Sequence, residues 1–225
     1  MNIATIIQAR MSSQRLPKKV LKPINGKPVL EFLIDQISHK NIDMPIIIAT
    51  SNENTDEDIV NYCLEHKINY YKGDLLNVAS RFRDIIQLYD LDFFVRVSAD
   101  SPLLDGNLIK DALLHVNNGI DIITNVMPRS FPKGQSVEVV NSRTFLSNYY
   151  KLNSKEDFEH VTRYFYNNFK SFNIMNFQNN EDMSSINLSI DSVEDFEKIC
   201  NVISNLTKNH FEYSFKDFVK LYNRY

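Results

Sequence analysis

Along the chain, apolar residues fall into short unbroken runs that alternate with longer stretches where they recur every three or four positions. Ile3 to Ala9 is the first run, with Thr5 and Gln8 its polar members, and it reads as a strand buried on both faces. Pro28 to His39 follows, with Val29, Leu30, Leu33, Ile34 and Ile37 at helical spacing and a proline in the first turn. Pro45 to Thr50 is a second buried strand. Thr55-Asp56-Glu57-Asp58 has the form of a capping-box start, and Ile59, Tyr62, Cys63 and His66 share one helical face after it. Ile68 to Tyr71 is a short third strand, Leu75 to Leu88 a helix, and Phe93 to Val97 a fourth strand ending at Ser98-Ala99-Asp100-Ser101-Pro102. Asp105 caps a helix to about Asn117, and Asp121 to Thr124 is a fifth strand.

Strands alternating with helices in this way predict an α/β fold, a mostly parallel sheet covered by helices on both faces. The alternation stops after Asn125. Met127 to Gly134 is loop, and Ser136 to Val140 alternates like an antiparallel strand. Ser154-Lys155-Glu156-Asp157 caps a helix to about Phe169, and Phe172 to Phe177 is a strand-like return. Asn179 to Ser185 is polar loop, Leu188 to Asp191 a short strand, and Ser192-Val193-Glu194-Asp195 the cap of the next helix. A last amphipathic helix follows Ser214. With no internal repeat, low-complexity tail or long linker, the expectation is one domain over residues 1–225 with a small antiparallel arm at about 126–180.

Composition narrows the picture. A chain of 225 residues that is 43% hydrophobic can bury a sizeable core. A net charge of -3 argues against a general nucleic-acid binder. No apolar run approaches the roughly 18 residues of a membrane span, and a strand opens the chain with no signal peptide before it. Cys63 and Cys200 lie far apart inside helical patterns and read as buried thiols, which fits a reducing compartment. The expectation is a soluble cytoplasmic protein.

The charge is unevenly spread. Arg10, Arg15, Lys18, Lys19, Lys22 and Lys27 all fall in the connection between the first strand and the first helix, with no Asp or Glu before Glu31. Basic runs that merely solubilise usually alternate with acids. This connection therefore suits a polyanion, read here as the triphosphate of a nucleotide. The pattern GxxxxGK[ST] is absent and Gly26 is the only glycine there, so Arg10, Arg15 and Lys19 would hold phosphate together with turn N–H groups. In open α/β sheets ligands bind at the carboxyl ends of strands. Three regions qualify: the basic loop after Ala9, the Ala49-Thr50-Ser51 end, and Asp100. Asp100 and Asp191 each follow a strand. As a pair they suit Mg²⁺, which takes one or two carboxylates and completes its octahedron with phosphate oxygens and water. Singly, each also suits a turn or cap. His39, His66 and His115 read as packing or surface residues, and the aromatics from Tyr149 to Phe169 as core or interface.

The motifs also resemble a known family. Ile6-Ile7-Gln8-Ala9-Arg10-Met11-Ser12-Ser13-Gln14-Arg15-Leu16-Pro17-Lys18-Lys19-Val20-Leu21 is similar to the N-terminal signature of the sugar cytidylyltransferases, of the spore-coat polysaccharide biosynthesis protein F type, related to CMP-Kdo and CMP-acylneuraminate synthetases. The resemblance runs the whole length. Lys72-Gly73-Asp74 through Ser80-Arg81-Phe82, Arg96 through Asp105, Val137-Glu138-Val139, Glu159-His160-Val161-Thr162 and Leu188 through Asp195 come in the family's order. The family usually carries Gly where this chain has Lys18, and Pro is common at the position of Arg163.

The resemblance implies a nucleotide-diphospho-sugar transferase fold, GT-A-like and Rossmann-like, built as a three-layer sandwich. It also implies a reaction of CTP with an acidic sugar, of nonulosonic or octulosonic type, giving a CMP-sugar and pyrophosphate in surface polysaccharide or glycan biosynthesis. Transferred position by position, it puts Arg10, Arg15 and Lys19 on the triphosphate, Gln8 and Ala9 under the nucleoside, and Arg81 near the base or ribose. Asp100 and Asp191 would hold Mg²⁺. Arg15, Lys19 and Asp100 carry the catalytic roles. Glu138 and His160 fall at the acceptor, in the arm that often makes a homodimer contact. Two other readings stay open: a glycosyltransferase of the same fold using a nucleotide-sugar donor, for which no DxD stands at a strand end, and a non-catalytic nucleotide-binding homologue.

Overall fold

In the computed structural model, which describes residues 1–40 and 44–224, β1 (Ile3–Gln8) lies inside a seven-stranded sheet. The chain then makes a small antiparallel pair, β2 (Pro23–Ile24) and β3 (Lys27–Pro28), before α1 (Val29–Ser38). β4 (Ile46–Ser51), α2 (Glu57–Glu65), β5 (Asn69–Gly73), α3 (Val78–Leu88), β6 (Phe93–Ser98), α4 (Gly106–Leu113) and β7 (Ile122–Thr124) continue the alternation. β8 (Glu138–Asn141), α5 (Ser142–Asn148), α6 (Lys155–His160), α7 (Arg163–Asn167), β9 (Ile174–Asn176), α8 (Val193–Ser204) and α9 (Phe215–Tyr222) complete it.

The strand order is β5-β4-β1-β6-β8-β7-β9. β1 runs parallel to β4 and β6, with Ile7 opposite Ile48 on one side and Val97 on the other. Alternate residues of β1 feed opposite layers, as a strand's period of two requires. Ile7 joins Leu33, Ile37, Ile59 and Ile109 from α1, α2 and α4. Ala4 and Ile6 join Phe82, Ile85, Phe145 and Phe165 from α3, α5 and α7. A further apolar cluster holds α8 and α9 against α1, and Leu16, Leu188 and Ile190 belong to it. Cys63 is buried and Cys200 half-buried; both are free thiols, and burial pushes Cys63 up to about 12.

The α/β fold with a mostly parallel sheet is the one the apolar pattern predicts. Its local details follow the pattern in part. The antiparallel strand expected at Ser136 to Val140 forms over Glu138–Asn141. It enters the main sheet as β8, antiparallel to both β6 and β7 and between them. Residues 126–180 likewise pack onto α3, through Phe145, Leu152, Val161 and Phe165. The helix expected from Ser154 to Phe169 breaks into α6 and α7 at Val161, a buried β-branched residue at φ 48 and ψ -55. Left-handed backbone there is a strained γ-turn conformation. Leu188 to Asp191 is not a strand. It is an extended segment tied to Lys133 through Leu188 N–H (2.8 Å) and to Asp100 through Ile190 N–H, which donates to the Asp100 carbonyl at 2.8 Å. Finally, the capping box expected over Thr55 to Asp58 does not form, and α2 begins after Asp56 with no side-chain cap. Ser154, Ser192 and Ser214 do cap their helices, the last two in full capping boxes.

Candidate active site

The carboxyl ends of β1, β4 and β6 lie side by side, because the three strands are parallel neighbours. The basic loop leaves β1 there and folds back on itself. Met11 carbonyl accepts from Ser13 N–H (3.0 Å) and Lys18 N–H (2.8 Å). Lys18 closes the fold in the left-handed region, at φ 61 and ψ 15, and a single 3-10 turn, Lys19–Leu21, follows. Glycine takes positive φ without cost, and Lys18 takes it with a side chain.

The turn delivers Lys19 into the site. Its Nζ donates to Asp100 Oδ2 at 2.9 Å, to the Ile190 carbonyl at 2.6 Å and to Asp191 Oδ1 at 3.4 Å. Lys19 is buried, whereas Arg15, 3.3 Å from Asp191 Oδ1, keeps a side chain that is 70% exposed. The Arg15 pair therefore has the small worth of a surface ion pair, and its guanidinium is free to leave for a phosphate. Gly134 gives the 188–191 segment room to approach. At φ +85 its backbone lies against Leu188, and a Cβ there would sit 2.6 Å from the Leu188 carbonyl carbon. That contact carries the 188–191 segment past Asp100. Arg15, Lys19, Asp100 and Asp191 are thus one cluster, drawn from places far apart in sequence.

Two carboxylates converging on one ammonium form a donor set that fits a hard divalent cation with phosphate oxygens completing its shell. Among the described residues no group of three or more His, Cys, Asp or Glu side chains is arranged for a metal. This pair would hold one only together with a phosphorylated ligand.

The remaining expected residues are placed around this cluster. Ala9 is buried, and its N–H donates to the Ala49 carbonyl at 3.1 Å. Gln8 Oε1 accepts from Arg96 Nε at 3.2 Å. Arg10 turns away from the aspartates and pairs with Glu159 of α6 at 2.9 Å. Arg81 is buried, donating to the carbonyls of Asp74 (2.8 Å), Leu75 (2.9 Å) and Ala49 (3.3 Å). Burial, partly offset by Asp56, pushes its guanidinium down to about 10. Arg81 thus ties the end of β4 to the loop before α3.

Glu138 and His160 line one cavity of about 260 Å³, with Arg96, Arg129, Thr162, Arg163 and Tyr166. It opens at the carboxyl end of β6, where Arg96 is paired in register with Glu138. Glu138 is buried and both its oxygens are engaged: one by Arg96, the other by Thr162 Oγ1 (2.7 Å) and the Tyr166 hydroxyl. Burial and the Glu138 charge raise the Tyr166 hydroxyl well above its ordinary value, so it remains the donor.

Several residues of this constellation escape sequence reading. Asp56, fully buried, accepts from Met11 N–H (2.7 Å), from Ser51 N–H (3.2 Å) and from the hydroxyls of Thr50 and Ser51. It pins the first turn of the basic loop to the end of β4, and its capping-box context disguised it. Arg96 carried a signal, one charge in the buried strand Phe93 to Ser98, because such a charge needs a partner. Arg129, in a proline-flanked loop, carried none.

Known proteins place the chain. The family described as cytidylyltransferase matches residues 4–222. The chain is 31% identical over 209 residues to the spore coat polysaccharide biosynthesis protein SpsF of Bacillus subtilis, covering 88% of this chain and 85% of that one. It is 29% identical over 116 residues to an 8-amino-3,8-dideoxy-manno-octulosonate cytidylyltransferase of Shewanella, half of this chain and 46% of that one. The solved structure of a cytidylyltransferase from Leptospira borgpetersenii superposes with a TM-score of 0.93 at 25% identity, over 100% of this chain and 94% of its own. With a family match that spans the basic loop, both aspartates that meet Lys19 and the cavity beside them, this chain belongs to the cytidylyltransferase family and is a nucleotidyltransferase enzyme.

Proposed function

We propose that the enzyme transfers CMP from CTP to an acidic sugar of nonulosonic or octulosonic type, with Mg²⁺, releasing pyrophosphate, in the biosynthesis of a surface polysaccharide or glycan. The observation that carries this is the meeting of Lys19 with Asp100 and Asp191 at the end of the central strands. The names of the two relatives, one in spore coat polysaccharide biosynthesis and one acting on an octulosonate, support the sugar part of the reading.

In the reaction an acceptor oxygen attacks the α-phosphorus in line. The new P–O bond forms as the bond to the bridging oxygen breaks, and pyrophosphate carries away the electron pair. Such chemistry needs positioning and charge neutralisation more than covalent catalysis. Arg15 and Lys19 neutralise the leaving pyrophosphate, and the loop N–H groups orient the phosphates. Two aspartates facing a triphosphate would repel it, which is the reason to place a cation between them. Asp100 and Asp191 would hold Mg²⁺, which when bound polarises the α-phosphate. Gln8 and Ala9 lie under the nucleoside, and Arg81 supports the base side from inside. Arg10, 2.9 Å from Glu159, links the phosphate loop to the acceptor side.

Asp100→Asn tests the assignment. Turnover should fall on the order of 100-fold or more, and Mn²⁺ bound in the presence of CTP, read by its paramagnetic signal, should fall with it. Wild-type turnover in this variant at limiting Mg²⁺ removes Asp100 from the metal site.

A further inference from the structure

The cavity beside the phosphate loop holds an unpaired positive charge. Two of its three arginines have carboxylate partners: Arg96 pairs with Glu138, and Arg163 lies 3.4 Å from Glu156. Arg129 lines the same cavity, and its Nη1 is shut off from solvent with no hydrogen-bond partner among the described residues. A guanidinium nitrogen shut off from water and without an acceptor is costly to keep, and a ligand that supplies the acceptor removes the cost. Burial lowers the Arg129 pKa, with Glu138 and Tyr166 as the nearby groups that oppose the shift. Glu138 itself is consumed by Arg96, Thr162 and Tyr166.

The surroundings are built, not accidental. Val161 stands in its strained conformation between His160 and Thr162, and the turn brings both neighbours to the cavity wall. Backbone strain held by surrounding packing is a mark of functional sites. The Arg96 contact to Gln8 sets the cavity directly against the end of β1, where the nucleotide loop begins.

We infer that Arg129 is the receptor for the acceptor's carboxylate, and that Glu138 acts as a positioning residue that holds Arg96 and Tyr166 in the wall. The assignment rests on the acidic-sugar reading above and names the group that recognises the acid. Arg96 and Arg163 each face a carboxylate, which leaves Arg129 as the cavity arginine without one among the described residues, a match for an anionic group. The planar fork of Arg129 suits a carboxylate more than a point-like partner would. At about 260 Å³ the cavity is at the small end for ligand sites, a size for one sugar and not for an oligosaccharide.

The test is direct binding of 3-deoxy-manno-octulosonic acid and N-acetylneuraminic acid, each beside its methyl ester and beside a hexose phosphate, by calorimetry. A non-hydrolysable CTP analogue and Mg²⁺ are present throughout. Wild type should bind at least one acid about 10- to 100-fold more tightly than its ester. Arg129→Met should abolish that preference while the affinity for the CTP analogue stays the same, and Arg129→Lys should restore only part of it. An equal preference in Arg129→Met and wild type, a wild type that binds neither acid better than its ester, or tighter binding of the hexose phosphate overturns the assignment. Should the variant fail to fold, the wild-type acid-to-ester ratio and Arg129→Lys still decide it. Acid preference without any turnover counts against the transfer reaction alone. Turnover of an acid with unchanged KM in Arg129→Met counts against Arg129 alone.

Discussion

At the scale of single residues, Lys18 is the sharpest case. Its backbone sits at φ 61, where an L-residue pays on the order of 1–2 kcal/mol and glycine pays nothing. The 3.5 Å contact of its ammonium with Asp58 joins two exposed side chains and returns little of that. Lys18→Gly should therefore leave stability unchanged or raise it by up to about 1 kcal/mol, after the extra chain entropy of glycine. Lys18→Val, β-branched at positive φ, should lower it by about 1–2 kcal/mol. Urea midpoints of the two variants check this, and a Lys18→Val protein as stable as wild type shows that the turn takes another path. The αL conformation was foreshadowed by the family resemblance, which implies glycine at the position, although no spacing rule in the chain itself demands it.

At the scale of elements, Asp56 joins three of them: the basic loop through Met11 N–H, β4 through Thr50 and Ser51, and α2, which begins beside it. Its charge also partly offsets the burial of Arg81. Asp56→Asn leaves a buried donor facing N–H and hydroxyl donors. The expected cost is about 1–3 kcal/mol of stability, with KM for CTP raised on the order of 10-fold as Met11 and the loop lose their anchor. Steady-state kinetics and a denaturation curve on the same variant separate the two effects, and an unchanged KM would show that the loop's position does not depend on Asp56. Elements made by local rules were legible. The buried runs became β1, β4 and β6, and the Ser154, Ser192 and Ser214 caps fell where the pattern put them. Elements decided by distant contacts were not. β8 lies between β6 and β7, and its successive residues Val139 and Val140 fill opposite layers. The helix after Ser154 stops at Val161, a buried residue at positive φ whose neighbours His160 and Thr162 line the cavity, against the helical pattern of the segment.

At the scale of the whole molecule, parallel strands bring β1, β4 and β6 to one edge, and crossings distant in sequence furnish the site. Lys19 meets Asp100 and Asp191, separated from it by 81 and 172 positions. The sequence showed each of these as a charged residue at a strand end or in the basic loop, and sheet order alone put them together. The acceptor side was less legible. Glu138 and His160 do line a common cavity, but Arg96, Arg129 and Tyr166 come to it from three separate segments with no shared motif. Among the described residues no helix is long and apolar enough to cross a membrane. The central claim is tested most directly by pyrophosphate release from each of CTP, UTP, ATP and GTP, with Mg²⁺ and a panel of nonulosonic, octulosonic and neutral sugars, with the nucleotide-sugar product identified by mass. The account predicts release from CTP that depends on an acidic sugar and yields one CMP-sugar per pyrophosphate. Release with neutral sugars only, a preference for another nucleotide, or no release with any acid in the panel contradicts it.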